Sequence, residues 1–529
     1  MLYSLSPCYA ASIISKPQQP EKNEIKDNLA KLKTIAEDLK SIDSMNELIG
    51  WDLVTYLPKS ASDDRAWHIT TLTSKQHEIL TSKELGQVLG ALNKPEILIR
   101  LNDFDKVLVQ ELWKSHIREK RIPLSHVEEF ANVTTNAFYK WVEAKEKKDF
   151  QIFEPSLEKI IDLSRQEAWH VRLDHPNSLY NTLLDSYESG LTTQDLDQIF
   201  LRLKVELIPF IKKITSLNKQ IDNSFLFRNY THADQLKLTN MALEHMDFDF
   251  TRGRVDETVH PFVTSLSHDD IRFTTRLPEK NISFVVGTAL HEGGHAHYEF
   301  NMSKELERTP LYDGSSLGIH EAQARLYETR IGLNMPFWKG FFPKMKAAFP
   351  EELKDVDLEK WYLAINKVNL SPVRLDSDEL TYNLHIIIRY EIEKDLMEER
   401  ISVKDVPRIW KEKTKKYLGV ESADDSEGSL QDSHWAGGSI GYFPTYTLGN
   451  LYAAQFYNQA LKEVPNLEKE MERGNMKPIN KWLGEKIHKC AATQSPQEIV
   501  FRVTGEKLNP DYFIKYIKEK YMKIYRIED

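Results

Sequence analysis

Apolar residues Ile25, Leu29, Leu32, Ile35, Leu39 and Ile42 recur at three- and four-residue steps, the stripe that an amphipathic helix buries. The same period returns behind Thr193, which predicts an N-cap for a helix carrying Leu196, Ile199, Phe200, Leu203 and Leu207 on one face. Glu379 to Met397 is equally helix-like, and the apolar approach Phe284 to Leu290, continued by Ala296, Tyr298 and Phe300, predicts a buried helix. Strand signals are few. The best runs from His260 to Leu277, where β-branched and aromatic residues gather around Asp269 and Asp270 and stop at Pro278, predicting a small hairpin or sheet. The fold class is therefore mostly α, with a minor β element ahead of the buried helix.

Composition narrows this picture. A chain of 529 residues that is 41% hydrophobic can bury a large core. Past residue 22 it shows no repeat, no low-complexity run and no Pro/Gly/Ser-rich linker, so residues 23–529 read as one large two-lobed domain behind a loose extension, residues 1–22. A formal charge of −10 leaves no basic stripe for a nucleic-acid partner, and runs such as Lys145 to Asp149 read as solvated helix faces. Cys8 and Cys490 are too few for a disulfide framework, which fits a reducing compartment. Met1 to Ser15 has no cation before Lys16 and is broken by Pro7, a poor signal peptide, and Pro7 also spoils Leu5-Ser6-Pro7-Cys8 as a lipoprotein site. Nothing reaches the roughly 18 apolar residues of a membrane span. The expectation is a cytoplasmic protein with no membrane partner.

One short run carries chemistry. His291 and His295 are four apart on the predicted helix, so both imidazoles share a face, and Glu292 beside the first can take a proton from a metal-activated water. The alternative is a pair of core histidines. Gly293 and Gly294 each cost about 1 kcal/mol of helix propensity relative to Ala, which suggests that small residues clear room for a substrate backbone. A catalytic zinc needs a third protein ligand and an open position. Glu299 shares a face with His295 but lies about 9 Å too far along the axis, and Tyr298 and Asn301 exclude the longer three-histidine pattern. A separate helix after Gly314 offers Glu321, with His320 competing; Glu321, Arg325 and Glu328 share a face, so Arg325 could orient or neutralise the carboxylates. Zinc is the expected ion, with cobalt or manganese acceptable to the same donors.

Taken together these residues resemble the metallocarboxypeptidases grouped around carboxypeptidase Taq, peptidase family M32. The likeness spans roughly residues 25 to 529: Trp51-Asp52, the D-x-R-x-T run Asp270 to Thr274, His291 to Glu299, His320-Glu321 with Gln323 and Arg325, a variant I-R-x-x-A-D motif at Val373 to Asp378, the G-x-x-Q-D-x-H-W run Gly428 to Trp435, and Gly441 to Gly449. Ala322, Ala324, Val373, Ser377 and His297 depart from the family pattern without removing a ligand or the base.

The resemblance implies a helical saddle with a deep active-site groove, like neurolysin and angiotensin-converting enzyme, and a homodimer. It implies one zinc on His291, His295 and Glu321, with Glu292 as general base, His434 and Tyr442 or Tyr446 at the oxyanion, and broad-specificity hydrolysis of the last peptide bond of substrates with a free C-terminus. Arg374, and behind it Arg272, are candidates to read that carboxylate, or else are structural ion pairs with Asp376 and Asp270. His260 lines the groove or braces a turn; Trp435 and Phe443 form a groove wall or belong to the core. The rival readings are a neurolysin-like oligopeptidase and a peptide-binding homologue without activity.

Overall fold

The stripe that begins at Ile25 becomes a long helix, α1 (Lys22–Thr55), with Ile25, Leu32, Ala36 and Leu39 buried along one side. The computed structural model describes residues 22–172 and 178–528; the expectations for the extension before Lys22, Cys8 included, lie outside the described residues. Helices dominate, as the periodicity predicts, and one connected apolar core runs from Ile25 to Tyr525. Among the described residues no helix is long and apolar enough to cross a membrane.

Local chemistry corrects two boundaries. Thr192, not Thr193, caps the helix Thr193–Ser216: its Oγ1 accepts the Asp195 N–H at 3.2 Å while Asp195 accepts the Thr192 N–H at 3.2 Å. Such a reciprocal box needs an acid three residues on, and only Thr192 has one. The helix foreseen from Glu379 starts at Tyr382, because Asp378 accepts the N–H groups of Leu380 and Thr381 at 2.9 and 3.0 Å and holds the chain in a turn first.

The β element is a three-stranded sheet in the order β1-β3-β2, with β1 Gly253–Glu257, β2 Val263–Ser267 and β3 Asp270–Thr275. Strands β2 and β3 form the foreseen hairpin, Val263 opposite Phe273. Strand β1, which precedes the predicted region, joins β3 in parallel with Gly253 opposite Ile271. Helix α1 lies on this sheet: the Tyr56 hydroxyl donates to Asp256 at 2.5 Å, and Trp51 packs under the guanidiniums of Arg272 and Arg254, 4.2 and 5.0 Å from its ring.

Three helices frame the site. Helix α2 (His232–His245) packs on α3 (Ile282–Asn301), and α3 packs on α4 (Leu317–Arg325). Gly293 and Gly294 of α3 face these neighbours, not a substrate. A Cβ on Gly293 would lie 2.8 Å from Met246 Sδ, and one on Gly294 would lie 2.6 Å from the Gln323 carbonyl oxygen and 2.8 Å from Ala324 Cα. Close helix crossing explains why glycine sits here despite its propensity cost. Helix α5 (Tyr382–Met397) packs on α6 (Pro444–Glu463), and α6 packs directly on α4, where a Cβ on Gly449 would meet Glu321 Cγ at 2.5 Å. Helix α4 is thus held between two glycine faces. Gly294→Ala, which strikes backbone, is expected to cost about 1–3 kcal/mol of stability and to weaken metal affinity by displacing α4; thermal unfolding and a metal titration check both.

Candidate metal centre

Helix α3 sets His291 and His295 one turn apart, ring centroids 5.0 Å from each other. The N-terminus of α4 is fixed by Ser316, whose Oγ accepts the Ile319 N–H at 3.0 Å, and by buried Glu188, which accepts the Gly318 N–H at 3.1 Å. So anchored, α4 brings Glu321 Oε2 to 3.8 Å from His291 Nε2 and 3.7 Å from His295 Nε2. The three ligand atoms lie within 4.8 Å of one another. These separations exceed a hydrogen bond and approach the roughly 3.3 Å between two ligand atoms on a tetrahedral ion with bonds of about 2.0–2.1 Å. Two imidazoles and a carboxylate converging without bonding each other fit a divalent cation.

The surroundings orient those groups. Glu328 Oε2 stands 2.8 Å from His291 Nδ1, and Arg325 donates to Glu321 at 2.7 Å and to Glu328 at 3.1 Å while lying 4.2 Å above the Tyr382 ring. Past Arg325 the chain continues as one π-helical turn, Leu326–Ile331, which contains Glu328. Burial alone would depress His291; Glu321 and Glu328 outweigh it and raise its pKa to about 9. Glu292 is buried, which lifts its pKa to about 7 against the pull of His291. His320 turns its Nε2 to Glu299 at 2.8 Å and stacks on His295 with centroids 4.5 Å apart. It braces His295 and does not converge with the other three.

A second wall faces this trio. His434 Nε2 is 3.1 Å from the Tyr446 hydroxyl, and Tyr442 packs 5.4 Å from the His434 ring and 5.3 Å from that of Tyr446. Burial, with Arg374 and Arg389 adding to it against Asp432, lowers His434 to about 4, so the imidazole is neutral. Burial raises Tyr442 to about 12 and holds Tyr446 well above the usual phenol range, with Glu321 contributing to both; both phenols keep their protons.

Arg374 is buried and partners Asp432, not Asp376: Nε and Nη2 reach one Asp432 oxygen at 3.1 and 2.8 Å, and Nη1 reaches the Tyr382 hydroxyl at 3.1 Å. The other Asp432 oxygen accepts from fully buried Arg389, so two guanidiniums share one carboxylate. Asp432 lies 58 residues beyond Arg374, whereas Asp376 is turned away by the short 3₁₀ turn they share. Arg272 pairs with Asp270 at 3.0 and 2.9 Å, as its sequence neighbourhood suggests.

His260 sits on an exposed turn, its N–H bonded to Thr258 Oγ1 at 3.2 Å, within electrostatic reach of Arg374 and His291. Trp435 and Phe443 are 4% and 1% exposed, which makes them core and not groove wall. Tyr382, Arg389 and Asp432 escaped the reading of the sequence as site residues. Only Asp432 carried a signal, its place in the motif Gly428 to Trp435.

Comparison with known proteins agrees with this geometry. The family model described as Carboxypeptidase Taq (M32) metallopeptidase matches residues 31–521. Carboxypeptidase 1 of Bacillus subtilis is 40% identical over 492 residues, 92% of this chain and 97% of that protein. Thermostable carboxypeptidase 1 of Thermus thermophilus is 36% identical over 490 residues, 91% and 96% respectively. The crystal structure of the M32 carboxypeptidase from Deinococcus radiodurans superposes with a TM-score of 0.91 at 33% identity, covering 95% of this chain and 100% of that one.

Proposed function

Because this chain belongs to the carboxypeptidase Taq (M32) metallopeptidase family, we propose that it is a zinc-dependent carboxypeptidase that removes C-terminal residues from peptides of varied sequence. The observation that carries this is the convergence of His291, His295 and Glu321 with Glu292 one residue from the first. Residues 23–529 act as one catalytic domain, a reading supported by the unbroken core from Ile25 to Tyr525.

His291, His295 and Glu321 would hold the zinc, which when bound would supply a Lewis acid for the scissile carbonyl and lower the pKa of water. Glu292, held near neutrality by burial, takes the proton of the attacking water and delivers it to the leaving amine. Neutral His434 and the phenols of Tyr442 and Tyr446, all half-buried, are hydrogen-bond donors for the oxyanion.

Arg374 reads the substrate carboxylate. Arg389 commits its bonds to Asp432, Gln431 and the His385 carbonyl, whereas the trio of Arg374, Arg389 and Asp432 keeps one unbalanced positive charge. A peptide's free terminus neutralises it. Arg272, stacked on Trp51 and paired with Asp270, supports α1 on the sheet, and His260 stands at the site's exposed edge.

Arg374→Ala should therefore lower kcat/KM for free-ended peptides by about 10- to 100-fold, the worth of one charge-assisted contact, chiefly through KM. The slow cleavage of amidated peptides should hardly change; equal losses on both would assign the residue to structure. The activity itself is tested by incubating the zinc-loaded protein with mixed peptides and reading products by mass spectrometry. Stepwise loss of single C-terminal residues supports the proposal, and internal cuts would replace it with an oligopeptidase. Family likeness supports a homodimer, which sedimentation equilibrium measures, and two cysteines in the whole chain support a reducing, cytoplasmic setting.

A further inference from the structure

Helix α5 carries two fully buried charged residues one turn apart, Arg389 and Glu393, and both address the segment that bears His434 and Tyr442. Arg389 holds the residues before His434, donating to Gln431 Oε1 at 2.7 Å and, through both Nε and Nη2, to Asp432 Oδ2. Glu393 holds the residues after it. Its Oε1 accepts the Trp435 indole N–H at 2.7 Å, and its Oε2 accepts the Gly441 N–H at 2.9 Å and the Tyr180 hydroxyl at 2.6 Å.

Trp435 comes directly after His434, and Gly441 directly precedes Tyr442. One carboxylate thus pins both ends of residues 435–441, a stretch without helix or strand that closes on itself through Gly438 N–H to the Trp435 carbonyl at 3.0 Å and Ser439 N–H to the His434 carbonyl at 2.9 Å. The far end cannot drift. Gly441 adopts φ +96°, and a Cβ there would lie 3.3 Å from the Leu183 backbone, so the chain is pressed into a left-handed conformation against a neighbour. A carboxylate buried this deeply among neutral donors is costly to desolvate, and a plain core hydrogen-bond network would not need its two oxygens aimed at the neighbours of two site residues.

We propose that Glu393 is a positioning residue for hydrolysis: through Trp435 and Gly441 it fixes the spacing of His434 and Tyr442, whose rings lie 5.4 Å apart. This rests on the reading of those two residues as oxyanion donors. Glutamine at this position keeps the shape but turns an NH2 group toward a donor, so one end of the stretch loses its anchor.

The test is Glu393→Gln, assayed for kcat, KM and zinc content alone and in a His434→Ala, Tyr442→Phe background at high enzyme concentration. In the otherwise native protein kcat should fall about 10- to 100-fold, as for other supporting contacts, with KM and zinc content nearly unchanged. In the double-variant background the same change should cost less than about twofold, since residues acting as a unit are not additive. Native kcat, or the same fold loss in both backgrounds, would overturn the proposal. A double variant that itself turns over at the native rate sinks the oxyanion reading and the proposal with it. Should Glu393→Gln fail to fold, Trp435→Phe removes one donor and leaves the carboxylate, and the same non-additivity is required of it.

Discussion

Glu292→Gln is expected to bind metal at the native level and to lose about 100- to 10,000-fold in kcat, the range of a positioned general base. The isosteric amide fills the same buried place on α3 but cannot take a proton from water. Glu292 is not among the converging ligand atoms, so metal per chain, measured by atomic emission, should not change. The pH profile carries a second signature. The base works only as its anion, so kcat/KM falls as pH drops through the Glu292 pKa; burial places that near about 7, and a bound dication moves it lower. The residual activity of Glu292→Gln should lack that acid limb. A variant with near-native kcat would remove Glu292 from the mechanism.

Glu321→Gln should be the more damaging at equilibrium. It removes the only carboxylate among the three converging groups and leaves the buried Arg325 guanidinium with Glu328 alone. Zinc affinity should fall by more than about 100-fold, the upper figure for an outer partner, whereas Glu328→Gln, which keeps all three ligands, should cost about 10- to 100-fold. Competition with a chromophoric chelator ranks the two, and equal affinities for both would refute the assignment of Glu321. Binding should also release protons. Glu321 and Glu328 hold His291 at about 9 without metal, so its Nε2 exchanges a proton for the ion, and apparent affinity falls as pH is lowered from that value. Calorimetry in buffers of different ionisation enthalpy counts the protons.

Much of this site could be read from residue order alone because its groups lie on helices, where spacing fixes direction. Four-residue steps put His291 with His295 and Glu321 with Arg325, and the Gly/Ser turn at Gly314 signalled the second helix. Pairings across long stretches of chain leave no such trace. Nothing near Arg374 announces Asp432, and nothing in β1 announces its parallel register with β3. Gly293 and Gly294 were visible but their purpose was not, since a close helix crossing belongs to the neighbour as much as to the glycine. Thr192 is the instructive small case: the hydroxyl at either position could cap, and the acid three residues later decides.

The wide turn at Leu326–Ile331 makes the metal site sensitive to length as well as to composition. Deleting one residue of the turn ahead of Glu328 would restore ordinary winding, since the wide turn absorbs one extra residue; the helix beyond keeps its direction, but Glu328, inside the turn, moves off His291 while Glu321, upstream, stays put. A single-codon loss here would detune the ion without touching any group that holds it, an outcome that surveys of substitutions alone would never encounter.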